Sequence, residues 1–159
     1  MRIKTILFVL FILAVLPGCS SEVPLYDYDR SSVFEVSDKL PENAKLPEQL
    51  PFKAFDVQVS NDMVGGGSVI SFINEHNSVL RVMVSDYDFQ SNNALSYESE
   101  PLKISDDWRG EYIVDAEGHS ILWKEENLYY RLDYHSFSSE DDLSREQVLQ
   151  VIRQFEPLP

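Results

Sequence analysis

The chain has 159 residues, enough for one domain of ordinary size, and its 13 basic and 27 acidic side chains give a net charge of −14. This charge argues against a nucleic-acid partner and against a polybasic grip on anionic lipid, because affinity for phosphate groups comes mainly from clustered Lys and Arg. Hydrophobic residues make up 43% of the chain and aromatic residues 12%, which is enough to build a core and argues against general disorder.

Residues 1–18 have the pattern of an export signal. Arg2 and Lys4 give a positive start, and residues 6–16 form an uninterrupted apolar run. At ~1.5 Å per residue, a helix of that length covers about half of a ~30 Å hydrocarbon layer. The run therefore suits the apolar region of a secretory signal better than a permanent membrane span. We predict a signal peptide over residues 1–18.

The only cysteine follows this segment directly. Leu16-Pro17-Gly18-Cys19 resembles the bacterial lipobox, with Leu three positions before the cysteine and a small residue immediately before it. In that family of signals the cysteine sulfur receives a diacylglyceryl group, and a dedicated peptidase cuts before the cysteine. The resemblance implies lipid attachment at Cys19 and a lipid-anchored location on the outer face of the cell membrane. Pro17 departs from the usual small or β-branched residue, and the alternative is an ordinary secretory signal with an unrelated cysteine.

Residues 19–45 lack a regular pattern, because prolines, serines and acidic side chains interrupt the segment. We predict a flexible acidic tether here, which as a random coil would span roughly 30 Å root-mean-square. Tyr26, Tyr28 and Phe34 are aromatic residues that could dock on the domain or on a partner, and the sequence leaves that choice open.

Residues 46–156 are predicted to form a single globular domain that is rich in strands. Phe55, Val57 and Val59 alternate with other residues, as expected for a strand with one buried face. Residues 69–73 and 79–84 predict one hairpin, and 120–124 with 128–134 predict a second. In the second hairpin, one face is formed by Leu128, Tyr130, Leu132 and Tyr134. Shorter strand candidates are residues 102–104 and 112–114.

The end of the chain predicts a helix. Ser144 and Gln147 are spaced as a capping box, and Leu143 and Val148 as a hydrophobic staple. An apolar stripe follows at helical spacing, formed by Val148, Val151, Ile152 and Phe155, and Pro157 should end the helix. The predicted fold class is α+β: a mostly antiparallel, curved β-sheet covered by one C-terminal amphipathic helix.

Several short motifs, in this order, resemble a domain of unknown function found in lipoproteins and membrane-anchored anti-sigma-like proteins of Gram-positive bacteria. They include Leu46-Pro47…Leu50-Pro51-Phe52, Leu122-Trp123-Lys124…Asn127-Leu128-Tyr129-Tyr130 and Leu143-Ser144-Arg145-Glu146-Gln147-Val148-Leu149. Residues 65–67 and 85–100 depart from the pattern. The resemblance implies a sheet distantly like the curved, half-open sheets of periplasmic lipoprotein carriers. That family has no agreed activity, so the resemblance assigns no functional residues.

Metal binding has little support in the spacing of the candidate ligands. His76, His119 and His135 each lie close to acidic residues, but they fall in different loops or strand ends without a His-x-x-His spacing. The segment that begins at Asp27 and Asp29 starts like a calcium loop, but lacks its glycine and its final glutamate. One cysteine excludes an intrachain disulfide and a multi-cysteine site. We therefore expect neither a metal nor a cofactor.

Catalysis has equally little support. The chain contains neither a Gly-x-Ser-x-Gly elbow nor a Ser-x-x-Lys motif, so no catalytic residue is assigned. The acidic pairs are more typical of a solvated surface than of acid–base catalysis; they are Asp86/Asp88, Asp106/Asp107 and Asp141/Asp142. Strand aromatics are more typical of a core or of cross-strand pairs than of a ligand patch; they are Trp108, Trp123, Tyr129 and Tyr130.

These patterns predict a lipid-anchored extracytoplasmic lipoprotein that acts as a non-enzymatic binding or regulatory module of the cell envelope. Its partners would be the membrane, through lipidated Cys19, and an unknown protein or small apolar ligand bound between the sheet and the helix. The alternatives are an envelope hydrolase or metal-binding lipoprotein, and a structural lipoprotein that supplies only bulk and charge.

Overall fold

The computed structural model describes residues 24–35, 40–61, 66–88, 98–115, 118–139 and 141–158. The predicted signal peptide and Cys19 lie outside these residues. The described part contains helices α1 (Ser31–Phe34) and α2 (Arg145–Ile152). Its strands are β1 (Lys45–Pro47), β2 (Asp56–Ser60), β3 (Ser68–Ile73), β4 (Val79–Ser85), β5 (Ser99–Lys103), β6 (Arg109–Asp115), β7 (Gly118–Glu125), β8 (Leu128–His135) and β9 (Phe155–Pro157).

Seven strands form one antiparallel sheet in the order β2-β3-β4-β8-β7-β6-β5. Both predicted hairpins are present, as β3–β4 and β7–β8. They meet along β4 and β8, where Val82 lies opposite Leu132. The predicted mostly antiparallel sheet with a small helix is therefore confirmed, and the two hairpins supply its centre.

The sheet has two different faces. On the covered face, alternate apolar side chains of β3, β4, β7 and β8 are buried in the hydrophobic core; they include Ile70, Phe72, Leu80, Val82, Ile121, Trp123, Tyr130, Leu132 and Tyr134. The same core contains Val148, Leu149, Val151 and Ile152 of α2. The opposite face, here called the open face, carries the alternating residues between them, among which are Ser71, Arg81, Met83, Ser120, Leu122, Tyr129, Arg131 and Asp133.

The start of the described chain also packs on the covered face. Tyr26 and Leu50 form an antiparallel bridge, with N–H···O distances of 2.8 and 2.9 Å. The Tyr28 hydroxyl donates to the Pro47 carbonyl at 2.9 Å, and its ring meets Phe72 edge-on at 4.9 Å. Val33 of α1 is fully buried. Residues 24–35 and 40–45 thus differ from the predicted flexible tether, because their aromatic and aliphatic side chains bury enough apolar surface to offset the ordering entropy.

The C-terminal helix begins as predicted and ends earlier than predicted. Ser144 and Gln147 form the capping box, and α2 ends at Ile152. Phe155 is not on the helix, as the stripe pattern had indicated, but in β9, where it lies opposite Pro47 of β1. Its ring packs edge-on against Trp123 at 5.3 Å and Tyr130 at 6.2 Å. Pairing with a distant strand therefore replaces the last helical turn.

Phe55 also differs from its prediction. It lies just before β2 rather than inside a buried strand face, and its side chain is 81% exposed. Val57 and Val59 of β2 are half-buried, as an edge strand allows. The alternation therefore holds for the two valines but not for the phenylalanine.

Candidate functional site

Among the surface cavities of the described residues are three that α2 does not line. The side chains of Val148, Val151 and Ile152, on the face of α2 that joins the core, are fully buried. Two of the cavities gather polar and apolar side chains at opposite ends of the sheet. These two are the candidate sites.

The first cavity, here called the far-end groove, lies on the open face and measures about 280 Å³. Leu122 supplies apolar surface, and Lys124 holds its ammonium group 4.8 Å from the centre of the Tyr129 ring. Arg109 and Glu111 add opposite charges to the lining. A groove with this mixed lining suits a small ligand or peptide side chain that combines an apolar part with a polar group.

A buried charged cluster lies next to this groove. The Asp133 carboxylate is on the open face yet only 2% exposed. It accepts hydrogen bonds from Ser120 Oγ at 2.6 Å and from Arg131 Nε at 2.7 Å. Arg131 lies opposite Leu122 in the sheet register. Its hydrogen bond to Asp133 therefore holds the Arg131 side chain in place beside the groove. The bonds of the cluster satisfy the buried carboxylate, which makes the cluster a structural support for the groove.

The second cavity, of about 370 Å³, lies at the other end of the sheet and holds His76 and Asp141. Asp141 Oδ2 accepts hydrogen bonds from Asn74 Nδ2 at 3.1 Å and Ser78 Oγ at 3.0 Å, and His76 Nδ1 lies 2.9 Å away. Partial burial acts to raise the pKa of Asp141, but the hydrogen bonds from Asn74, His76 and Ser78 outweigh it and lower the pKa below its ordinary value.

Ser78, His76 and Asp141 are the residue types of a hydrolytic triad, but they are not arranged as one. A triad places histidine between the nucleophile and the carboxylate. Here Ser78 and His76 both contact the same oxygen of Asp141, and the Ser78 hydroxyl donates its hydrogen bond to the carboxylate rather than to the histidine. The geometry is that of a clamp that ties the turn between β3 and β4 to the segment before α2.

The sequence did not reveal this clamp. His76 and Asp141 lie in segments without a shared motif, and 65 positions separate them along the chain. Only the folded sheet brings the turn after β3 to the segment that follows β8. The alternation of β8 puts Arg131 and Asp133 together on its more polar face, but only the folded sheet shows that Asp133 is buried there.

The remaining histidines are His119 and His135. His119 Nδ1 is 2.5 Å from the Tyr112 hydroxyl, and His135 ends β8 opposite Val79. Within the described residues, no group of three His, Cys, Asp or Glu side chains is placed to hold a metal ion. Asp29, from the calcium-like segment, accepts a hydrogen bond from the Ser31 backbone, and hydrogen bonding to Ser31 lowers the pKa of Asp29.

The strand aromatics divide between the two faces. Trp123 stacks on Tyr130 with ring centres 5.1 Å apart and meets Trp108 edge-on at 5.7 Å, so these three belong to the core side. Burial raises the pKa of Tyr130 to about 12. Tyr129 instead lies on the open face and lines the far-end groove. Trp123 also contributes to the lining of this groove, so two of the four aromatic residues considered for a ligand patch are placed beside it.

In the part of the chain that the structure describes, no helix is both long enough and apolar enough to cross a membrane. The chain matches no protein-family model, no curated protein and no solved structure. A function for the protein has to be inferred from its own residues and their geometry.

Proposed function

We propose that this protein is a lipid-anchored lipoprotein on the outer face of the cell membrane and a non-enzymatic binding or regulatory module of the cell envelope. In this proposal its domain is of the kind that occurs in Gram-positive lipoproteins and membrane-anchored anti-sigma-like proteins. The observation that carries the proposal is the position of the only cysteine, Cys19, at the end of a lipobox-like run after a basic start and an apolar segment. A diacylglyceryl group supplies two acyl chains, as stable anchoring requires.

The far-end groove is the proposed binding site of the module. Leu122 and the Tyr129 ring supply apolar contact, while Arg109 and Lys124 offer positive charge to a polar end group. Asp133 and Ser120 are buried although they lie on the open face, whereas the helices pack into the core on the covered face. Their burial therefore supports a sheet that curves around the open face. A curved sheet would shelter a small apolar ligand or a peptide segment from water.

The non-enzymatic part of the proposal is supported by the Asp141 clamp. It is the described arrangement most similar to a catalytic one, yet its serine and histidine share one carboxylate oxygen. Neither side chain activates the other in that geometry.

The anchor is tested by growing cells with an alkyne-bearing fatty acid and comparing Cys19→Ser with the wild type. We expect label on the wild-type protein and none on Cys19→Ser. When the cells are fractionated, the membrane fraction should contain less of Cys19→Ser than of the wild type. Ser20→Ala is the matched control, because it changes the neighbouring residue and keeps the thiol. Equal labelling of Cys19→Ser and wild type would contradict the proposal.

The binding site is tested on the mature chain, residues 19–159, with dodecanoate and short apolar peptides as probes. We expect amide shifts to be concentrated around Leu122 and Tyr129, and Leu122→Gln to weaken binding. Met83→Gln, on the same open face outside the groove lining, is the control. Amide shifts that cluster elsewhere would contradict the far-end groove as the binding site.

A further inference from the structure

We propose that one end of the sheet lies against the membrane surface, with Phe55 and Phe137 in contact with the lipid headgroup region. This end, here called the turn end, comprises the start of β2, the turn at residues 74–78 and the end of β8. The far-end groove then faces away from the membrane. The inference rests on the proposed anchor at Cys19 and adds the orientation of the domain to it.

The first argument is the length of chain between the anchor and the domain. Tyr26 is fixed to Leu50 by two backbone hydrogen bonds, so it belongs to the domain. Six residues lie between Cys19 and Tyr26, and the seven Cα–Cα steps that join them span at most ~25 Å even when fully extended. The lipid on Cys19 therefore keeps Tyr26, where the chain joins the domain, within about 25 Å of the bilayer.

The second argument is where that point lies. Tyr26 lines the same cavity as Phe55, His76 and Asp141, all at the turn end. The following chain runs across the covered face, where Tyr28 contacts Phe72. It returns from the opposite end, where Lys45 pairs with Glu125, the last residue of β7, at 2.5 Å. The anchor is thus attached at the turn end and not at the end that carries the groove.

The third argument is the distribution of exposed aromatic side chains. Among the described large hydrophobic residues, Phe55 and Phe137 are the most exposed, at 81% and 77%. Phe55 precedes β2 and Phe137 follows β8, so both lie at the turn end. Exposed phenylalanine rings lose contact with water when they enter the boundary between lipid headgroups and acyl chains, which favours that position when a bilayer is within reach. Their position matches the attachment point of the anchor.

Charge does not drive this contact. The chain is strongly acidic, and Glu75 and Asp141 lie at the turn end with Lys53. The short tether and the aromatic rings must therefore supply the attraction, and anionic lipid should weaken the contact. The β4 strand of seven residues separates the two ends by about 20 Å, so the far-end groove would be presented that much farther from the bilayer.

The test uses the mature chain, residues 19–159, coupled through Cys19 to a maleimide lipid in phosphatidylcholine vesicles. Coupling is specific because the chain contains no other cysteine. Phe55→Trp places a fluorescent probe at the turn end, and Tyr87→Trp is the matched control at the far end, where Tyr87 is 57% exposed. Lipids with a doxyl quencher near the headgroup then report which probe is close to the bilayer.

We expect quenching and a blue shift for Phe55→Trp, and the same for Phe137→Trp as a second probe. Tyr87→Trp should behave like the parent protein, whose own Trp108 and Trp123 provide the background. Added phosphatidylglycerol should reduce the quenching of the turn-end probes.

The orientation is overturned if the Tyr87→Trp probe is quenched as strongly as the Phe55→Trp probe. It is also overturned if no probe is quenched, which would leave Phe55 and Phe137 as contacts for a protein partner. The vesicle supplies the anchor chemically, so this result is independent of whether cells attach lipid to Cys19. The vesicle experiment therefore tests the orientation alone, and the fatty-acid labelling experiment tests the proposed anchor.

Discussion

His76 Nδ1 lies 2.9 Å from Asp141 Oδ2, and this contact joins the turn between β3 and β4 to the segment that leads into α2. The Tyr134 hydroxyl donates to the Asp141 carbonyl oxygen, so both the side chain and the backbone of Asp141 are held. One aspartate therefore connects the sheet to the start of the helix that covers it.

Replacing this carboxylate should change how stability depends on pH. The folded-state pKa of Asp141 lies below its ordinary value of 3.8, so its contribution is present above that value and is lost as pH falls through the folded pKa. We expect Asp141→Asn to lower the free energy of unfolding by about 1 kcal/mol at neutral pH. The variant should also lose less stability than the wild type between about pH 5 and pH 2.

Urea unfolding at several pH values measures both effects. Asp142→Asn is the control, since Asp142 is the exposed neighbour with the same charge. If Asp141→Asn and Asp142→Asn give the same acid dependence, the clamp does not stabilise the fold.

Breaking the buried pair on the open face should cost more. Asp133→Ala leaves the Arg131 guanidinium without its carboxylate in a largely buried position, and we expect a loss of about 3 kcal/mol in the free energy of unfolding. Replacing both residues with alanine should cost less than the sum of the two single changes, because neither charge is then left unpaired. Additive losses in a double-mutant cycle would show that the two side chains are not coupled.

Phe155 should contribute as a packed strand residue. Its ring meets Trp123 and Tyr130 but is only half-buried, so we expect Phe155→Ala to cost about 2 kcal/mol, below the 3–5 kcal/mol typical of a fully buried phenylalanine. Phe55→Ala, at an exposed ring, should change stability by no more than about 0.5 kcal/mol. The denaturation midpoints of the two variants in solution provide the comparison, and equal midpoints would contradict the packing described for Phe155.

Local patterns account for the parts of the fold that the sequence predicts well. The two hairpins and the capping box at Ser144 depend on residues that are close along the chain. The shared face of Leu128, Tyr130, Leu132 and Tyr134 follows from the two-residue period of a strand. Each of these features could be predicted before the structure.

Features that depend on distant residues could not be predicted in this way. The stripe spacing of Phe155 suits a helix, and only the availability of β1 as a pairing partner places it in a strand. Tyr28 docks because Phe72 offers an apolar surface, which residues 19–45 alone cannot indicate. The Asp141 clamp likewise needs the turn end to be assembled first.

Gly110 should be irreplaceable for steric reasons. A Cβ atom at this position would lie 2.6 Å from the Leu122 carbonyl oxygen and 3.1 Å from Ile104 Cδ1. The oxygen belongs to the paired strand β7 and cannot move without disrupting the ladder between β6 and β7. We expect Gly110→Ala to lower the free energy of unfolding by about 3 kcal/mol and to reduce amide protection along β6 and β7.

Gly66→Ala separates this clash from ordinary backbone strain. Gly66 has a φ of +90°, but the nearest heavy atom to an added Cβ there is a Tyr87 ring carbon at 3.4 Å, an uncrowded distance. That variant should lose about 1 kcal/mol, from the left-handed backbone alone. Chemical denaturation of both variants gives the comparison, with hydrogen exchange for the strands. If Gly110→Ala costs no more than Gly66→Ala, then β6 and β7 lie farther apart at Gly110 than the structure describes.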